Sequence, residues 1–186
     1  DIVFTAGATE SVNLAIHGVL AKGGHAVISG VEHVAVMEAV KQYPHTVAAV
    51  DRYGRVDLQS LRTSIQDDTT LVSVVMADNE FGTVQPLSEV GHLVQTIRDE
   101  RRANGNATPL YLHSDGSQGP SALDMKVSRL GVDLLTVSAA KCYGPKQVGL
   151  LWVRSPIVLQ PLLFGGKQER GLRSGTENVA GAVGFA

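Results

Sequence analysis

The segment Thr70-Leu71-Val72-Ser73-Val74-Val75-Met76 is the strongest strand pattern in the chain, and it shows almost no alternation of polar and apolar residues. A strand that is apolar on both sides has to be covered on both faces, which is the situation of a parallel sheet between two layers of helices. The rest of the chain supplies matching pieces. Ile2-Val3-Phe4, Ala26-Val27-Ile28, Thr46 to Val50, Leu110-Tyr111-Leu112, Leu134 to Val137 and Gly149 to Val153 are further short apolar runs. Between them, helical periodicity covers Thr9 to Ala21, Val34 to Gln42, a short helix opening at Asp57, and Leu87 to Arg102. Alternating β and α units predict an α/β fold, a three-layer α/β/α arrangement with a mostly parallel central sheet. The last two strands are joined closely enough that one of them can run antiparallel.

The remaining properties narrow the functional classes. The chain has 186 residues, enough for one well-packed domain. A net charge of -2 gives no reason to expect nucleic acid or an anionic membrane as partner. No apolar run is long enough to span a bilayer. The single cysteine, Cys142, excludes an internal disulfide framework and suits a reducing, cytoplasmic compartment. The chain opens at Asp1, directly in a strand pattern and without a methionine, and closes within helical periodicity at Ala186. It reads as a piece of a larger protein.

In open α/β sheets ligands collect at the carboxyl ends of the strands, so the residues found there carry the functional argument. Thr5-Ala6-Gly7-Ala8-Thr9-Glu10 is a turn of small residues that opens a helix, either as a cradle for a phosphate at Ala8 and Thr9 or simply with Thr9 as the helix cap. Glu32-His33 follows the second strand, and Ala77-Asp78-Asn79-Glu80 follows the long apolar one. His113-Ser114-Asp115-Gly116-Ser117-Gln118 follows the next, with Asp115 as a helix cap or as a carboxylate for a cationic ligand. Metal binding by His113 and Asp115 lacks a third ligand at a familiar spacing. Ser138-Ala139-Ala140-Lys141 lies between the last two strands and ahead of the Gly144-Pro145 turn, which holds the lysine in one place. An anion cradle, an aromatic ring, an amide, a carboxylate and a lysine on separate strand ends are the groups that pyridoxal 5'-phosphate requires.

On these segments, and on Asn79-Glu80-Phe81-Gly82-Thr83-Val84-Gln85-Pro86 and Gly165 to Asn178, the chain resembles the NifS/IscS-type cysteine desulfurases among the class V, fold type I pyridoxal-phosphate enzymes. The resemblance runs from Ile2 through Val179. It implies that residues 1–186 are the cofactor-binding large domain, without the N-terminal arm and the C-terminal small domain. It also implies site roles. Ala8, Thr9 and Ser138 would hold the phosphate, His33 would stack on the pyridine ring, and Asn79 would lie near the ring hydroxyl and the substrate carboxylate. Asp115 would pair with the ring nitrogen, Gln118 with the 3-hydroxyl, and Lys141 would form the Schiff base. Lys141, His33 and Asp115 are thereby the catalytic set, and Thr176 would reach the phosphate of a neighbouring subunit in a homodimer. The implied reaction moves sulfur from L-cysteine to an enzyme cysteine as a persulfide and releases alanine, for a sulfur acceptor or scaffold protein in iron-sulfur metabolism.

The chain also departs from that family. Ala139-Ala140 stand where Gly-His is usual before the lysine, Asp78 stands where a second Asn is common, and Gly116 where Ala is common. The family's sulfur-accepting cysteine and substrate-carboxylate arginine lie in a later region than this chain contains. Cys142 does not match that cysteine; strand alternation would turn it away from Lys141 and make it a small buried apolar residue. A selenocysteine lyase, another class V aminotransferase, or a pyridoxal-phosphate-binding relative without turnover are the alternative readings. A nicotinamide oxidoreductase lacks its glycine fingerprint.

Overall fold

The computed structural model describes residues 1–186. The strands are β1 (Ile2–Thr5), β2 (His25–Ser29), β3 (His45–Ala48), β4 (Thr69–Ser73), β5 (Tyr111–Asp115), β6 (Leu134–Ser138) and β7 (Gly149–Val153). The helices are α1 (Ala8–Leu20), α2 (Val34–Val40), α3 (Leu58–Ser64), α4 (Leu87–Ala103), α5 (Val127–Leu130) and α6 (Val179–Phe185). All seven strands form one sheet in the order β1-β7-β6-β5-β4-β2-β3. Strand β7 is antiparallel to both of its neighbours, and every other pairing is parallel. The predicted architecture, with one reversed strand beside Lys141, is the one observed.

Side-chain alternation assigns the faces. Ala26 and Ile28, Leu71 and Leu134 pack with Val12, Ile16 and Leu20 of α1 and with Val36 and Val40 of α2. Their sequence neighbours Val27, Val72 and Leu135 pack on the opposite side with Leu61 of α3 and with Val90, Val94 and Ile97 of α4. Two apolar layers therefore sandwich the sheet, and burial of this kind stabilises by roughly 25 cal/mol per Å² of apolar surface removed from water.

The strand boundaries correct two expectations. The run from Thr70 loses its β2 neighbour after Ser73, and the N–H groups of Val74 and Met76 go on to bond the carbonyls of His113 and Asp115 at 3.1 and 2.9 Å. Conversely, β5 does not stop at Leu112 but continues through His113, Ser114 and Asp115, all buried. Their polarity resembles a loop, yet His113 and Ser114 find partners inside the sheet and Asp115 finds one in the turn that follows. The connection Ala139–Cys142 is a 3₁₀ turn and not a strand extension. Cys142 is half-buried, and its Sγ donates to the carbonyls of Ser138 and Ala139 at 3.5 and 3.3 Å. The turn, and not strand alternation, sets its direction.

The segment Gly165–Thr176 lies largely at the surface, with a 3₁₀ turn at Glu169–Gly171, and folds back onto β1. Glu169 accepts from the Phe4 N–H at 3.1 Å, and Arg170 donates to the Ile2 carbonyl at 2.5 Å. These contacts cover an edge strand that would otherwise offer unpaired backbone groups.

Candidate active site

A cleft of about 350 Å³ opens at the carboxyl ends of β1, β2, β4, β5 and β6, on the α1–α2 side of the sheet. Its 14 lining residues include Ala8, Thr9, His33, Asn79, Asp115, Gln118, Ser138 and Lys141, which come from five separate segments. Thr176 lies outside it, exposed, beside a smaller depression that also contains Glu169 and Arg173.

Each wall has a local cause. Gly7 caps α1 with φ 133°, a conformation reserved for glycine, and no side chain accepts from the first helical N–H groups. The Thr9 cap is thus not formed; Thr9 sits within the helix's first turn. The amides of Ala8 and Thr9 have no helical acceptor before them and face the cleft end of the helix, where the macrodipole favours an anion. The backbone of Gly7 reaches this position by lying against Gly149, where an added Cβ would come within 2.7 Å of it. Glu10 is taken out of the cradle's electrostatics: it accepts from the Ala6 N–H at 2.9 Å and from Arg173 Nε at 2.8 Å. That pairing also raises the Arg173 pKa.

His33 caps α2, its Nδ1 accepting from the Ala35 N–H at 3.1 Å, so the ring is anchored at the cleft with its proton on the other nitrogen. Asp115 is buried at the end of β5. One of its oxygens closes a tight turn by accepting from the Ser117 N–H at 3.0 Å, with no helix following for it to cap, while the other has no protein partner. Lys141 is exposed and forms no ion pair, so its amine is free in the cleft. Ser138 is buried at the end of β6. Asn79 is exposed and Gln118 half-buried.

The metal idea at His113 does not fit. Both ring nitrogens are engaged, Nδ1 with Ser73 Oγ at 2.9 Å and Nε2 with Thr136 Oγ1 at 3.1 Å. Burial lowers its pKa to about 4, with the Asp115 charge pulling the other way. Glu32, singled out in sequence only as the neighbour of His33, is also buried. Burial, assisted by Asp115, raises its pKa to about 7, against the hydrogen bonds that favour its charged form. Its glutamate identity beside a functional histidine was visible in the sequence; its burial was not.

The donor set fits a phosphorylated pyridine: helix-end amides and hydroxyls at one end, a carboxylate with a free oxygen at the other, an amine between strand ends, and an imidazole anchored over the opening. The comparisons with known proteins agree with this geometry. The family described as Aminotransferase class-V matches residues 1–186. "Cysteine desulfurase IscS 1" of Archaeoglobus fulgidus is 43% identical across the whole chain, which covers 48% of that relative. A solved structure described as a NifS-like protein superposes with a TM-score of 0.89 at 35% identity, covering 99% of this chain and 50% of that one. A structure described as SspA in complex with cysteine gives 0.89 at 34% identity, covering 99% and 53%. The chain spans about half the length of the curated relatives it matches. With its fold, its cleft and its full-length family match, the chain belongs to the class-V aminotransferases, and its similar relatives are cysteine desulfurases.

Proposed function

We propose that residues 1–186 are the pyridoxal-phosphate-binding large domain of a cysteine desulfurase that works as a homodimer. The observation that carries this reading is the buried Asp115 carboxylate, whose second oxygen has no protein partner and which shares one cleft with the unpaired Lys141 amine and the α1 N-terminus. The names of the relatives support the reaction, and the SspA structure's cysteine supports an amino-acid substrate. An exposed Thr176 outside the cleft suits a role toward a neighbouring subunit's phosphate.

Pyridoxal phosphate, when bound, supplies an electron sink that lets the Cα proton of an amino acid leave. The protein's own contributions follow from the cleft. Ala8, Thr9 and Ser138 line the cleft where they would donate to the phosphate. Asp115 would hold a proton on the ring nitrogen by charge. Gln118 and Asn79 would offer amides to the ring hydroxyl and the substrate carboxylate. The His33 ring restricts the plane of the bound ring, and the Lys141 amine is the group placed to move the Cα proton. Cys142, bonded into its own 3₁₀ turn and absent from the cleft lining, is not the sulfur acceptor; that thiol would lie outside residues 1–186, and the sulfur would pass from it to a separate partner protein.

The test uses the protein at its full natural length. Purified protein should take up pyridoxal phosphate with a new visible absorbance, and with excess dithiothreitol present to reduce the enzyme persulfide it should release alanine and sulfide in equal amounts from L-cysteine. A protein that stays colourless with the cofactor sinks the reading. Release of alanine from selenocysteine alone reassigns it to a selenocysteine lyase, and oxo-acid formation to a transaminase.

A further inference from the structure

Ser117 lines the cleft, two residues beyond Asp115 and beside Gln118, yet its hydroxyl bonds to nothing. The residue is only 7% exposed, and its Oγ is shut off from water without a hydrogen-bond partner. One other side-chain polar atom is in that state, Thr70 Oγ1, and Thr70 does not line the cleft. A buried hydroxyl that makes no bond has lost its water and gained nothing in return, so a fold seldom keeps one. The backbone of the same turn is committed: the Ser117 N–H donates to Asp115 Oδ1 at 3.0 Å. The hydroxyl is left over.

Beneath the turn there is little to accept from it. A Cβ added at Gly116 would come within 2.9 Å of Leu135 Cδ1 and 3.2 Å of Met125 Cε, and one at Gly119 would collide with the sulfur atoms of Met125 and Met76. Thioether sulfur is a weak acceptor. Leu135 and Met76 belong to the buried apolar layer on the α3–α4 side, which closes that side to water as well. The carbonyls of Thr136 and Gly116 beside them already accept from the Gly116 and Gly119 N–H groups, both at 2.9 Å. On the cleft side there is room, and Ser117 has a single side-chain torsion with three staggered positions. One change of rotamer is all that separates the hydroxyl from a ligand there.

Position decides what the hydroxyl serves. Its own N–H ties Ser117 to the Asp115 carboxylate, at the end of the cleft away from the α1 amides and their anion cradle. We infer that Ser117 is a further cofactor-binding residue, whose hydroxyl turns on binding to hydrogen-bond a polar atom of the heteroaromatic ring, next to the contacts of Asp115 and Gln118. The empty protein carries the unbonded hydroxyl as a cost that the ligand relieves. The inference rests on the pyridoxal-phosphate reading of the cleft, and it requires one atom to weaken the empty fold while strengthening the complex.

Ser117→Ala removes that atom and tests both halves in the full-length protein. Without cofactor, the variant should unfold at the same urea concentration as the wild type or a higher one, because no bond is lost and an unbonded hydroxyl is gone. A lower midpoint would show that the hydroxyl is bonded within the fold, and would overturn the inference. Absorbance titration should then show the variant binding pyridoxal phosphate about tenfold more weakly, the loss of one hydrogen bond. Pyridoxal, which has the ring without the phosphate, should be weakened by a similar factor. A loss of less than about threefold for pyridoxal phosphate refutes the contact. A loss confined to the phosphorylated ligand moves the hydroxyl to the phosphate end and refutes it too. Equal binding by wild type and variant defeats this assignment alone, whereas a wild type that binds no pyridoxal phosphate defeats the functional reading and the assignment with it.

Discussion

The two ends of the central sheet are built from similar residues and treat them oppositely. At the amino end, Asp133 accepts from Arg98, from Arg154 Nε at 3.0 Å and from the Leu112 N–H at 2.8 Å. Arg101, buried, donates to the carbonyls of Gln66, Thr69 and Thr108. There, charged groups are matched with partners. At the carboxyl end, the Lys141 amine and the second Asp115 oxygen have none. Ser117 Oγ, in the same cleft lining, is buried and has no partner either, and a folded chain seldom leaves a buried polar atom in that state. The difference between the ends teaches which polar groups hold the fold and which await a ligand.

Mutations at each end should therefore separate stability from binding. Asp133→Ala leaves the buried Leu112 N–H without its acceptor and removes the counter-charge of Arg98 and Arg154, which keep backbone acceptors, and should cost about 2 kcal/mol of unfolding free energy while leaving the affinity for pyridoxal phosphate unchanged; a loss of affinity without a loss of stability would break the comparison. The buried titrations come next. The raised Glu32 pKa removes stability as pH climbs from about 4.5 to about 7. The lowered His113 pKa removes it as pH falls from 6.5 to about 4. The two slopes oppose each other between, so wild-type stability should change little there. In Glu32→Gln only the histidine remains, and chemical denaturation should show stability rising by about 3 kcal/mol from pH 4 to 6.5.

Asp115→Asn is the counterpart of Asp133→Ala. It keeps an acceptor for the Ser117 N–H but removes the charge, and should weaken cofactor binding about a hundredfold, the loss of a hydrogen bond to a charged group, with an unfolding midpoint close to wild type. The smallest effect concerns Ala140, exposed between Ser138 and Lys141 where the resembling family carries histidine. Ala140→His adds an imidazole donor beside the phosphate end and should tighten binding about fivefold in an absorbance titration.

Much of this was legible in the sequence because it is periodic or punctual. The apolar runs around Leu71, Ile28 and Leu134 announced a sheet covered on both faces, and the polar clusters after them marked the cleft. What escaped reading depends on partners far apart in the chain. His113, Ser114 and Asp115 resemble a loop, since nothing local reveals that Ser73 and Thr136 will meet the imidazole. Glu32 looks like a surface acid until Ser29, Ser73 and the Val75 amide close around it. The Thr9 cap was displaced by Gly7, whose positive φ depends on the room that Gly149 provides across the sheet edge. The 3₁₀ turn at Ala139–Cys142 likewise answers to the return of β7.

The central claim, that the free amine of this cleft is the cofactor's anchor, is open to one direct measurement. Full-length protein incubated with pyridoxal phosphate, reduced with borohydride, digested and analysed by mass spectrometry should carry the cofactor's mass on Lys141. Modification at the nearby Lys146, or at no lysine of residues 1–186, would contradict the account.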